Sequence, residues 1–169
     1  MENFFDRSQF LFSRFDKYFD IVNTKGTVYL AINTFFIGAV LSNISNLDKS
    51  FNLTELTIAT ISLFLASCFI STFLVLLAIN PFLKSGTKNG TASSIFYYGS
   101  IAEYEKDVFI KRLECIQNEE LRSDVGGQLY CLAEGLKFKY NMLKWSGWVI
   151  IGEFLLLIPV LLLLTIHLK

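Results

Sequence analysis

Proline, histidine and charge are all scarce in this sequence: of 169 residues 2 are proline and 1 is histidine, while charged residues make up 18%. A lone histidine, His167, cannot build a metal cluster or a histidine-based triad, and no CxxC or HExxH spacing is present to stand in for one. The 3 cysteines, Cys68, Cys115 and Cys131, are odd in number and widely spaced. They read as small apolar fillers in a reducing compartment. Net charge is zero, so no basic field draws nucleic acid, and that class of partner is excluded as the main business. The opening residues MENFFDRSQF mix both signs of charge with phenylalanine and lack a cationic stretch followed by an apolar core. No cleaved signal is expected, and no metal, cofactor or catalytic residue. The acids Glu103, Glu105, Asp107, Glu114, Glu119 and Glu120 read as the wet face of a helix, so a non-enzymatic protein is expected.

Apolar residues are what the sequence does have. They amount to 53%, with 17 phenylalanines, and mean hydropathy is +0.47. That balance points to a bilayer as solvent. The run 26–44 carries no charge and has about the 20 residues a helix needs to cross the hydrocarbon. A second run, 53–79, carries one acid at Glu55 and stops at Asn80-Pro81. A third, 145–168, reads WSGWVIIGEFLLLIPVLLLLTIHL, with Trp145 and Trp148 placed as interfacial anchors.

Lysine and arginine set the orientation. The first segment holds Arg7, Arg14, Lys17 and Lys25; the short connection holds only Lys49; the long one carries most of the remaining cations. By the positive-inside rule the N-terminus and long connection are cytoplasmic and the C-terminus lies outside, periplasmic in a bacterium. The expected fold is an all-α integral membrane protein with three transmembrane helices. An N-terminal amphipathic helix (1–25) precedes the first span (26–44), an outer loop (45–52) and the second span (53–79). A cytoplasmic helical hairpin (80–144) for sensing and oligomerisation then leads to the third span (145–168). The first helix either lies on the inner leaflet or packs on the protein's own cytoplasmic part. Within the long connection SGTKNGTASS reads as a flexible joint, followed by one amphipathic helix over 95–121 and a second apolar stripe beyond Gly126-Gly127. So thin a hairpin is expected to find copies of itself, giving a homo-oligomer.

Two polar residues interrupt the spans. Asn33 and Glu153 lie at similar depth on helices that both run outward, and Ser71 and Thr72 on the returning span reach about that level. An ionisable group there is disfavoured by about 2.5–3.5 kcal/mol and so turns inward. Asn33 and Glu153 therefore either tie helices together or line a polar path that gates between assembled subunits.

The order of these parts resembles a known family. An aromatic N-terminal helix ends in NTKG and enters a span; SSIFYYGSIAEY opens the cytoplasmic part; DVGGQLYCLAEGLKFKYNMLKW leads into the last span. This is similar, from about Phe10 to Ile158, to the transmembrane effectors of Pycsar antiphage systems. The position two before Lys25 is Asn23 and not the acid the family tends to show. The resemblance implies an abortive-infection effector of the inner membrane, triggered by a cyclic pyrimidine nucleotide (cyclic CMP or cyclic UMP) that a partner pyrimidine nucleotide cyclase makes. The Ser-x-x-aromatic-Gly pattern falls on Ser94, Tyr97, Tyr98 and Gly99, and the Asp-x-x-x-Gln pattern with a downstream lysine on Asp124, Gln128 and Lys137 or Lys139. With Arg112 and Arg122 as cations, the ligand-binding set this suggests is Tyr97, Tyr98, Arg112, Arg122, Asp124 and Gln128. The alternative from another class is a membrane scaffold whose cytoplasmic part recruits a partner. Under that reading the tyrosines anchor at the interface and the arginines pair with glutamates.

Overall fold

The structure, a computed structural model, describes residues 2–50, 55–81 and 94–167, with side chains over 3–42, 55–81 and 94–160. The described residues form five helices and no strand: α1 (Glu2–Ser50), α2 (Glu55–Ile79), α3 (Tyr98–Glu103), α4 (Lys106–Cys115) and α5 (Asn118–His167). Three helices are long and apolar enough to cross a membrane, within Asn3–Ser42, Glu55–Ile79 and Asn118–Val160. The all-helical, three-span expectation therefore stands.

Several expected boundaries shift. The N-terminal helix and first span are one helix, which continues through positions expected as the outer loop to Ser50; residues 51 and 52 of that loop lie outside the described residues. The third span is the last part of α5, and Pro159 sits inside it. A proline is tolerated in a spanning helix because neighbouring groups satisfy the carbonyl it leaves free. The expected helix over 95–121 is interrupted twice. Tyr104 and Glu105 are extended between α3 and α4, and Ile116 is extended before α5. No glycine or proline marks either break, so periodicity alone runs through them. In place of a two-helix hairpin stand α3, α4 and the first part of α5. Most of SGTKNGTASS, Lys88 included, lies outside the described residues.

The chain divides into two compact units. The first comprises Met1–Asp20 and Pro81–Phe138, the second Ile21–Asn80 and Lys139–Lys169. In the second unit the usual order of polarity is inverted. Phe35, Phe69, Phe73 and Leu155 are 60% exposed or more, while Asn33, Ser71 and Glu153 are fully buried. Only a solvent of hydrocarbon makes that arrangement favourable, so these helices are membrane-spanning. Phe36, Phe64, Cys68 and Val160 form the apolar core, with Phe36 tilted on Phe64 at 5.7 Å and edge-on to Phe154 at 5.1 Å.

Gly26 shows why a small residue follows Lys25. A Cβ there would come within 2.6 Å of Ile79 Cγ2, so its absence lets α1 approach the end of α2. At that end Pro81 has no N–H to donate. Lys139 donates to carbonyls left over where the helix stops, its Nζ bonding those of Ala78 and Asn80 at 2.7 Å each. The ammonium both satisfies orphan carbonyls and meets the negative end of the helix dipole.

Candidate functional site

The first unit contains a cavity of about 650 Å³. Its aromatic wall is made by Phe5 and Phe12 of α1 and by Phe96, Tyr97 and Tyr98 at the start of α3; α5 contributes Val125, Gln128, Cys131 and Leu132. Residues 5, 8, 9 and 12 share one face of α1, and residues 125, 128, 131 and 132 share one face of α5, as helical spacing requires. Among the described residues no charged side chain lines it.

The approach to α3 is fixed by two short hydrogen bonds. Ser94 Oγ accepts from the Phe96 N–H at 3.1 Å, and Asp124 Oδ2 accepts from the Ile95 N–H at 2.9 Å. Ser94 and Ile95 are both buried. One turn along α5 from Asp124, Gln128 points to the same side. The Asp-x-x-x-Gln spacing thus pairs a residue that holds the aromatic segment with one that faces the space beside it. Gln128 is 6% exposed, and its Nε2 is buried without a hydrogen-bond partner among the described residues. A buried donor in that state is disfavoured by about 1–3 kcal/mol.

Gly99 shapes the aromatic wall. A Cβ at this position would lie 2.5 Å from Cε1 of Tyr97, so the Tyr97 ring folds into space that only glycine leaves open. Tyr97 and Tyr98 have ring centroids 5.0 Å apart. Burial, then the neighbouring Tyr98, raises the Tyr97 phenol from its ordinary value, so it stays neutral. Arg122 stands over the Phe4 ring at 5.7 Å, and Phe4 is edge-on to Phe5 at 5.4 Å, which places the cation behind the wall.

Of the six residues in the ligand set drawn from the sequence, the structure brings Tyr97, Tyr98 and Gln128 together at the cavity. Arg112 is instead paired with Glu120. Asp124 holds the Ile95 backbone and Arg122 packs on Phe4. Phe5, Ser8, Gln9 and Phe12 were not expected at a site, although their i, i+3, i+4, i+7 spacing already placed them on one face. Among the cysteines, Cys68 and Cys131 are buried as fillers should be, whereas Cys115 is exposed.

The second unit holds a polar cluster drawn from all three spans. The Asn33 amide lies 2.6 Å from Ser71 Oγ and 3.1 Å from Thr72 Oγ1. Ser71 Oγ donates to Glu153 Oε1 at 2.7 Å, and the far end of the Asn33 amide lies 3.1 Å from Glu153 Oε2. Ser146 Oγ adds a bond to the Ser71 carbonyl at 3.2 Å. With a proton on Oε2 the three side chains close a ring: Asn33 donates to Ser71, Ser71 to Glu153 and Glu153 to Asn33. With an ionised carboxylate the amide turns its nitrogen to Glu153 Oε2, its oxygen accepts from Thr72 Oγ1 at 3.1 Å, and Ser71 still donates to Oε1. In either arrangement the same side chains join the three helices. Among the described residues no group of three or more His, Cys, Asp or Glu side chains is placed to hold a metal ion.

A family model described as the Pycsar effector protein domain matches residues 7–166. The chain belongs to that family. The match takes in most of both units of the Pycsar effector, and with them the polar cluster and every lining residue of the cavity except Phe5. No curated protein and no solved structure matches the chain.

Proposed function

We propose that this Pycsar effector senses a cyclic pyrimidine nucleotide, cyclic CMP or cyclic UMP, supplied by a partner cyclase, and answers by rearranging its spans so that the bacterial inner membrane leaks. The match over residues 7–166 carries the reading. An aromatic cavity with an unpartnered amide in the first unit supplies a place for a ligand, and a polar cluster joining α1, α2 and α5 supplies a closed state to be opened. The protein acts by binding and rearrangement, without catalysis or a cofactor, as a homo-oligomer with its N-terminus in the cytoplasm and its C-terminus in the periplasm. The abortive infection of the host follows from the leak.

A ligand shifts such an equilibrium only by preferring the open state. Moving the population from 1:99 to 99:1 takes about 5.5 kcal/mol of preference, which several ligands per oligomer can share. The test is dye release from liposomes containing the purified protein, titrated in parallel with cyclic CMP, cyclic UMP and cyclic AMP. Release with a pyrimidine nucleotide and not with cyclic AMP is expected. Silence with all three, together with unimpaired growth of cells in which the pyrimidine nucleotides are raised, overturns the reading.

A further inference from the structure

We infer that the cavity of the first unit takes the base of the activating nucleotide, edge-on against the Gln128 amide, and leaves the phosphate outside. This rests on the reading of the protein as a cyclic pyrimidine nucleotide effector and assigns the part of the ligand that the site recognises.

Gln128 is more than nine-tenths buried and its Nε2 has no partner among the described residues. An apolar residue of the same shape would suit an aromatic cavity better, so the amide is accounted for by a ligand acceptor that meets it. A primary amide also carries an acceptor beside its donors, and the edge of a pyrimidine offers the complement. In cytosine the exocyclic amino group donates and N3 accepts; in uracil N3–H donates and a flanking carbonyl accepts. The amide thus reads a pyrimidine edge without separating the two bases.

The walls agree with that occupant. Phe5, Phe12, Phe96, Tyr97 and Tyr98 line the same cavity as the amide, and an aromatic side chain stacked on a base contributes about 1–3 kcal/mol. At about 650 Å³ the space falls within the range of small-ligand sites. Among the described residues no lysine, arginine or histidine lines it, and a phosphate anion taken into such walls without a cation is strongly disfavoured. Neither arginine of the expected ligand set is in that lining: Arg112 pairs with Glu120 through Nη2, and Arg122 packs on Phe4. The phosphate therefore stays in water, and the base enters.

The experiment is equilibrium dialysis of the full-length protein in detergent micelles against labelled cyclic CMP and cyclic UMP, for wild type and Gln128→Met. Met keeps the length of the side chain and removes the orphan donor. The inference expects binding of whichever nucleotide the wild type takes to weaken about 10- to 100-fold. It expects the thermal midpoint of the ligand-free variant to hold or rise, which a structural glutamine would not allow. Unlabelled cytidine or uridine should displace the nucleotide, and inorganic phosphate should not. Gln128→Leu serves as the second variant, with the same expectation. If wild type binds and the folded variants bind equally well, or if phosphate competes and nucleosides do not, the placement of the base is wrong while the effector reading stands. If wild type binds neither nucleotide, the effector reading falls and this inference with it.

Discussion

Replacing Ser71 by alanine is the sharpest perturbation of the closed state. Its hydroxyl is the acceptor for the Asn33 amide at 2.6 Å and the donor to Glu153 at 2.7 Å, so one oxygen joins three helices. Side-chain hydrogen bonds between spanning helices contribute about 0.6–1.7 kcal/mol each. Losing two gives about 1–3 kcal/mol, and with a factor of ten for each 1.4 kcal/mol the closed state weakens about 5- to 150-fold against any state that lacks these bonds. Thr72→Val removes a single, longer bond from Asn33 at 3.1 Å and should give the smaller effect, under about 1 kcal/mol. The assay is basal dye leak from liposomes without nucleotide, with the thermal midpoint in detergent measured beside it. The expected order of leak is wild type, then Thr72→Val, then Ser71→Ala. A Ser71→Ala protein whose leak stays within about twofold of wild type and whose midpoint does not fall would refute the claim that this ring holds the spans.

Three further outcomes follow from the same geometry. Glu153→Gln keeps the ring, its amide donating to the Asn33 oxygen and accepting from Ser71, so leak and assembly should stay near wild type while Glu153→Leu leaks; equal leak from both variants removes the ring. Gly99→Ala displaces the Tyr97 ring from the cavity wall, because the added carbon would sit 2.5 Å from it, and nucleotide affinity should drop while the far-ultraviolet helical signal is unchanged. Lys139→Met leaves the Ala78 and Asn80 carbonyls without their ammonium and should destabilise the protein by about 1–3 kcal/mol; an unaltered thermal midpoint excludes that capping role.

The spans are legible in the sequence because a single physical requirement sets each of them. A long apolar run with at most one acid has no better solvent than lipid, and the structure places helices over all three. Depth is legible as well: counting from Gly26, Asn80 and Trp145 puts Asn33, Ser71 and Glu153 at one level, where they meet. The segment 95–121 is not. Its helices are short, and what ends them is extended backbone at Tyr104, Glu105 and Ile116, residues with no turn chemistry of their own. Apolar spacing survives a break of one or two residues, so the pattern carries no mark of it.

The site divides along the same line. Tyr97, Tyr98 and Gln128 are reachable from the sequence because the inventory for a nucleotide base is small, but the inventory is indifferent to what each group already holds. Asp124 and Arg112 have the right chemistry for a ligand and are occupied by the Ile95 N–H and by Glu120. What separates Gln128 from them is its place in the cavity wall, with a buried donor that meets nothing among the described residues, and both are properties of packing that no linear pattern encodes. The contribution of α1 is hidden for a related reason. Phe5 and Phe12 lie on an apolar face that would serve a lipid surface as well as a cavity, and only the packing of Met1–Asp20 with Pro81–Phe138 decides between them. Sequence therefore bounds the chemistry available to the ligand, and the packing of the first unit determines which groups are left free to use it.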